Sequence, residues 1–228
     1  MVTTSSLCLL AYLVGSIPSG YLLVRATRRR DVRDYGSHNV GAINVVRVGG
    51  LWLGLVTLLA DIGKALGIVL LAAAVTPSVW TVASAAFLVM VGHAYSAWFF
   101  LQERRFSEGK SAACALGVLV GLVILGALPW WVVVVPVAVW VTGLLGPRLL
   151  TRRWSCISPA TMAATVSIPL AVWAAHPATA YLSLSVGMAV LILLRHPNNI
   201  RRLLAGTEPR LGERLSLGSI AYTQSPSL

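Results

Sequence analysis

Apolar residues along this chain fall in runs of about 20, the length that carries a helix across a bilayer core of about 30 Å at about 1.5 Å per residue. Read against prolines, glycines and polar clusters, the pattern predicts seven helical segments, at 5–25, 48–75, 79–101, 112–128, 130–147, 157–175 and 178–195. Pro77, Pro129 and Pro177 fall in three tight joints, where a missing backbone donor does least harm. The stretch 112–147 also fits one re-entrant unit in place of two spans. The expected fold is all-α, a polytopic transmembrane helix bundle of about seven spans. It forms one domain over 1–228, with 205–228 as a mobile cytoplasmic tail.

The polar residues assign the two sides. Stretches 26–47, 102–111, 148–156 and 195–228 alternate with the joints at 76–78, 129 and 176–177, and the joints hold no Lys or Arg. The first set holds Arg28, Arg29, Arg30, Arg33, Arg104, Arg105, Lys110, Arg152, Arg153, Arg201, Arg202, Arg210 and Arg214. By the positive-inside rule the N-terminus is expected outside and the C-terminus in the cytoplasm. The first apolar run has no basic segment before it and no clean cleavage site after it, so it is expected to be retained.

Composition agrees: 57% of residues are hydrophobic and 11% charged, against about a quarter charged in a soluble domain. A net charge of +11 would suit nucleic acid in a soluble protein. No basic helix with interleaved aromatics is present, so nucleic acid is set aside and the charge is assigned to anionic membrane lipids. The three cysteines, Cys8, Cys114 and Cys156, are odd in number and widely spaced, which points to neither a disulfide framework nor a metal site. No cofactor is expected.

The second run is longer than a bilayer needs. With Val75 at the outer boundary the inner one falls near Val56, so Asp61 and Lys64 lie roughly 8 to 12 Å inside the membrane from the cytoplasmic side. They are three positions apart, on one helical face. His93 reaches a similar depth in the third run. Ionisable groups at such depth are candidates for function, here as support to a site. The simpler alternatives are a self-neutralising pair that locks two helices, and a satisfied interior histidine.

Chemistry-bearing residues cluster in the cytoplasmic stretches. In GSHNVGAINVVRVGG, Ser37, Asn39, Asn44 and Arg47 punctuate a glycine-rich segment that includes Gly36 and Gly41 and can either cradle a phosphate or form turns. FSEGKSAACALG places Gly109 and Lys110 at a helix start, suited to a phosphate although it is not a complete Walker motif. RRWSCISPAT offers Ser155 and Ser158, the latter before Pro159 and so also a conventional helix cap. RHPNNIRRLLAGTE carries His196, Asn199 and Glu208, with Arg201 and Arg202 assignable to lipid headgroups. These pieces supply many phosphate donors and two accessible histidines. They contain no Ser-His-Asp order, nucleophile elbow or metal-ligand cluster.

Taken in order, AYLVGSIPSG, GSHNVGAINVVRVGG, LLADIGKALG, GHAYSAWFFLQERRFSEGKSAACALG, WSCISPAT and RHPNNIRRLLAGTE resemble the bacterial acyl-phosphate:glycerol-3-phosphate acyltransferase family over nearly the whole chain. The resemblance implies a seven-helix enzyme of the bacterial cytoplasmic membrane that moves an acyl group from acyl phosphate to the 1-hydroxyl of glycerol 3-phosphate, giving lysophosphatidic acid. It implies Ser37, Lys110 and His196 as catalytic residues. Asn39, Gly41, Asn44, Arg47, Gly109, Ser155, Ser158, Asn199 and Glu208 would bind substrate, and Asp61, Lys64 and His93 would support them.

The chain departs from the family pattern at named positions. Glu108-Gly109-Lys110-Ser111 stands for Gly-Gly-Lys-Gly, His38 for a glycine, Ile43 for a threonine, and Pro197 for a basic residue. Glu108 sets negative charge beside the anion site that the resemblance implies. A noncatalytic or transport-like protein that keeps a lipid and phosphate cavity is therefore the alternative, followed by an acyltransferase with a different donor.

Overall fold

A computed structural model describes residues 3–104, 109–151 and 156–208, and within them every regular element is a helix. Each predicted apolar segment is helical. The first holds α1 (Thr4–Gly15) and α2 (Ser19–Arg28), the second α4 (Leu51–Val75), and the third α5 (Val79–Ala94) and α6 (Ala97–Glu103). The remaining four are α7 (Ala112–Ile124), α8 (Trp131–Thr151), α9 (Ile157–Ala174) and α10 (Thr179–Leu194). Two further short helices are α3 (Ala42–Gly49), whose last two residues enter the second segment, and α11 (Pro197–Leu204), with a 3-10 turn at Val32–Asp34.

By length and apolarity, four stretches among the described residues suffice to cross a membrane: Thr4–Arg28, Leu51–Val75, Val79–Glu103 and Ile157–Ala174. The pair α10 and α11, bent by 56°, makes a fifth if the two form one span. The helices at 112–124 and 131–147 are apolar but shorter.

The segment 26–47 is not one irregular loop. Its last residues form α3, which buries Asn44, Val45 and Gly49. The long second run breaks at Gly50, whose φ of +94° suits glycine, before α4 begins.

Two of the spans are themselves broken, between α1 and α2 at Ser16–Pro18 and between α5 and α6 at Tyr95–Ser96. Each break frees backbone groups that hydrocarbon cannot satisfy. The breaks lie side by side and answer one another. Ser96 Oγ donates to Ser16 O at 2.6 Å, Ala97 N to Ser16 Oγ at 3.2 Å, and Tyr12 OH to Tyr95 O at 2.9 Å. Lys64 Nζ reaches in from α4 and donates to Ile17 O at 2.9 Å.

α5 is the central element, packed against α1, α4, α7 and α10. It buries ten residues, most of them small, from Thr81 to Ala94. α1 and α5 approach to backbone contact, since a Cβ on Gly92 would lie 2.1 Å from Tyr12 O and one on Gly15 the same distance from Val89 O. α8 packs broadly on α9 and α4 on α7, which leaves a cavity among α4, α7, α8 and α9.

A smaller core of Val24, Val32, Val40, Val45 and Phe99 fastens the segment after α2. Arg33 closes it: its guanidinium lies 4.2 Å over the Phe99 ring and pairs with Asp31 and Glu103, both at 2.6 Å. Burial raises the Asp31 carboxyl, but hydrogen bonds and charge from Arg33 outweigh it and hold the group below its ordinary 3.8.

Candidate active site

The cavity measures about 430 Å³, and its lining joins a group of charged and polar side chains to a larger apolar surface. Its polar wall is assembled from separated stretches of sequence. Ser37, Asn39, Gly41, Asn44 and Arg47 come from the first polar segment, and Lys110 from the start of α7. Ser158 comes from α9, and His196, Asn199 and Glu208 come from the chain around α11. Leu119 on α7, Val137 and Trp140 on α8, and Ala164 and Ile168 on α9 line the remainder. Ile168 stands ten residues beyond Ser158, about 15 Å along the helix axis.

Asn199 is the hub of the polar group. Its Oδ1 accepts from Lys110 Nζ at 2.6 Å, and its Nδ2 donates to Ser158 Oγ at 2.7 Å and Glu208 Oε1 at 2.9 Å. Ser158 also donates its hydroxyl to Glu208 Oε1. Arg202 Nε meets Glu208 Oε2 at 2.8 Å. Burial pushes the Glu208 carboxyl up, but hydrogen bonds from Ser158, Asn199 and Arg202, with the Arg202 charge, hold it below its ordinary 4.5. The carboxylate therefore stays ionised at neutrality and fixes the donors around it.

The helix-cap alternative for Ser158 is not realised, because Cys156 is the N-cap of α9 and Ser158 lies within the first turn. His196 is only 2% exposed, so the access expected for it is to the cavity rather than to bulk water. Its Nδ1 lies 2.7 Å from Ile192 O. A carbonyl only accepts, so Nδ1 carries the proton and Nε2 is left as the acceptor.

Asn44 organises the first polar segment. Its Nδ2 donates to Val32 O, Tyr35 O and Asn39 O, and its Oδ1 accepts from Ser37 N at 2.9 Å. Asn39 Oδ1 accepts from Gly41 N at 2.7 Å. These bonds fix the curve that brings Ser37 and Arg47 to the cavity.

Gly109 is required for a reason unrelated to phosphate: a Cβ there would lie 2.1 Å from His93 O. His93 belongs to the buried group expected from the sequence. Lys64 Nζ lies 2.9 Å from Asp61 Oδ1 and 3.0 Å from His93 Nδ1, and His93 and Asp61 both line the cavity. Since Lys64 also donates to the α1–α2 break, this group joins three helices directly behind the lysine loop.

The departures from the family pattern have physical counterparts. His38 and Ser111, which stand for glycines, adopt φ of 56° and 60°, the left-handed region that costs ordinary residues energy. Each recovers a hydrogen bond, His38 Nδ1 to Arg33 O at 2.8 Å and Ser111 Oγ to Met90 O at 2.8 Å. Pro197 occupies the first position of α11, where its missing N–H is harmless. Ile43 is 42% exposed and lines the cavity. Ser155 and Glu108 lie outside the described residues, as do Arg105, Arg152, Arg153, Arg210, Arg214 and the tail from 209 onward.

Arg202 is the cavity residue that sequence reasoning passed over, having been given to lipid. The available signal was spacing: Arg202 follows Asn199 by three positions, on the same face of α11.

Comparison with known proteins gives one consistent result. The glycerol-3-phosphate acyltransferase family matches residues 5–206. The glycerol-3-phosphate acyltransferase of Thermosynechococcus vestitus is 37% identical over 216 residues, covering 90% of this chain and 94% of the relative. That of Synechococcus sp. strain JA-2-3B'a(2-13) is 35% identical over 226 residues, covering 99% and 100%. The crystal structure of PlsY, an integral membrane glycerol 3-phosphate acyltransferase, in its glycerol 3-phosphate form superposes with a TM-score of 0.78 at 31% identity, over 92% of this chain and 96% of that one. Its lysophosphatidic acid form gives 0.75 at 30%, over 91% and 94%.

Proposed function

This chain belongs to the glycerol-3-phosphate acyltransferase family, and from that premise we propose that it is a membrane enzyme that acylates glycerol 3-phosphate with acyl phosphate. The observation that carries the reading is one cavity that joins a cluster of cations and hydrogen-bond donors to a larger apolar lining along three helices. The product is lysophosphatidic acid, and the role is in phospholipid synthesis. A transport-like protein has no need to place Lys110, Asn199, Ser158 and Glu208 in hydrogen-bonded register.

The donor is an activated mixed anhydride, so the protein needs chiefly to hold two anions together and offset charge that grows during transfer. The acyl chain lies along α7, α8 and α9. Lys110 and Arg47 bind phosphate, and Ser37 with backbone donors near Gly41 and Gly109 orients the acyl phosphate. Asn199, Ser158 and His196 place the glycerol moiety. The 1-hydroxyl oxygen attacks the acyl carbon, the new ester C–O bond forms, and the acyl–phosphate C–O bond breaks. The hydroxyl proton passes to the departing phosphate or to His196 Nε2, and inorganic phosphate leaves.

The same reading makes 1–228 one domain with seven passes of a bacterial plasma membrane, N-terminus outside and C-terminus in the cytoplasm. The support is charge: the stretches that supply the polar lining of the cavity are the arginine-rich ones. Purified protein supplied with acyl phosphate and labelled glycerol 3-phosphate is expected to release lysophosphatidic acid and inorganic phosphate in equal amounts. Phosphate release without labelled lipid would refute the acyl-transfer reading.

A further inference from the structure

The most directly placed cation of the site, Lys110, is held at two points by the joint between two helices. Asn199, on α11, accepts from its ammonium at 2.6 Å. Arg195, at the end of α10, donates from Nε to Gly109 O at 3.1 Å. That carbonyl belongs to the peptide plane joining Gly109 to Lys110, so Arg195 fixes the backbone from which the lysine side chain departs. The two contacts come from either side of the 56° bend between α10 and α11.

Arg195 is itself pre-set. Its guanidinium lies 4.7 Å over the Tyr95 ring, which fixes the plane of the fork. Tyr95 is tied in turn to α1, since its carbonyl accepts from Tyr12 OH at 2.9 Å. On its other side Gly109 rests against His93, with no space for a Cβ. The peptide before Lys110 is therefore clamped between the end of α5 and the end of α10.

We propose that Arg195 is a positioning residue for Lys110, with Tyr95 as its platform: it orients the Gly109–Lys110 peptide so that the ammonium meets the phosphate in line with Asn199. The proposal rests on the acyl-transfer reading. It assigns Arg195 to the geometry of transfer rather than to lipid headgroups or to holding substrate. Misplacing a catalytic group by about 1 Å costs on the order of 100-fold in rate.

The test compares Arg195→Ala, Arg195→Lys and Tyr95→Leu with the unmodified protein, each purified and checked for monodispersity. Arg195→Ala is expected to lower kcat about 30- to 100-fold with KM for both substrates within about threefold. Added methylguanidinium is expected to restore part of that loss, which it cannot do for a misfolded protein. Arg195→Lys keeps the charge without the planar stack and is expected to remain impaired, and Tyr95→Leu to lose kcat. Mapping of Lys110 with an amine-acylating reagent, without turnover, is expected to show faster labelling in Arg195→Ala. Unchanged kcat in Arg195→Ala or Tyr95→Leu, full activity in Arg195→Lys, or a loss confined to KM would overturn the proposal. If the unmodified protein makes no lipid product while labelling responds as expected, acyl transfer fails and the positioning role stands.

Discussion

The Lys110 ammonium donates to the Asn199 amide oxygen at 2.6 Å, across 89 residues of chain. The same amide donates from its other end to Ser158 and Glu208, so one side chain sets the spacing of a cation, a hydroxyl and a carboxylate.

Asn199→Ala removes all three contacts at once and leaves the Lys110 and Glu208 groups to reorganise. We expect kcat/KM to fall by about 100-fold, about 2.7 kcal/mol, with membrane insertion preserved. Steady-state kinetics on purified protein measure it, and a change under about threefold would separate Asn199 from the transfer step.

Glu208 gives a dependence on pH with a defined sign. Its carboxyl sits below the ordinary 4.5 in the folded protein, so its stabilisation is fully present above that value and is lost as pH falls through the lowered one. The difference in thermal midpoint between the unmodified protein and Glu208→Gln should be constant from about pH 5 to 8 and close below 4.5. A difference that changes near neutrality would mean that Glu208 titrates there.

Ser111 separates strain from hydrogen bonding. Ser111→Ala and Ser111→Gly both lose the bond to Met90 O, but only alanine keeps a side chain at the positive φ of 60°. Glycine should be the more stable of the two by about 1 kcal/mol, read as a thermal shift in detergent. Equal stabilities would contradict the left-handed backbone at this position.

Much of this architecture is written in the apolar runs, because a bilayer demands about 20 apolar residues whatever the tertiary fold. The breaks at Ser16–Pro18 and Tyr95–Ser96 are not, because the donors that make them tolerable, such as Ser96 and Tyr12, lie some 80 residues away in sequence. Lys110, Ser158, Asn199 and Glu208 each stand out as polar residues at helix starts or turns. Their shared network does not, since it depends on how α9 and α11 meet. Arg195 and Arg202 were hidden for a related reason: a basic residue beside an apolar span matches a headgroup contact until its partner is seen. Helix α3 was masked by glycines that end it rather than prevent it.

The apolar part of the cavity makes chain length adjustable. Ala164 lines it six residues beyond Ser158, about 9 Å along α9. Ala164→Phe should lower kcat/KM for long-chain acyl phosphates by about tenfold or more while sparing short ones. An equal loss for all lengths would place the acyl chain elsewhere.

Lysophosphatidic acid formation by Lys110→Ala, beside the unmodified protein in the same lipid environment, bears most directly on the claim that the separated polar segments act as one anion-holding site. At least a 100-fold loss is expected, with the variant inserted and monodisperse. Retention of full activity by Lys110→Ala would contradict that claim.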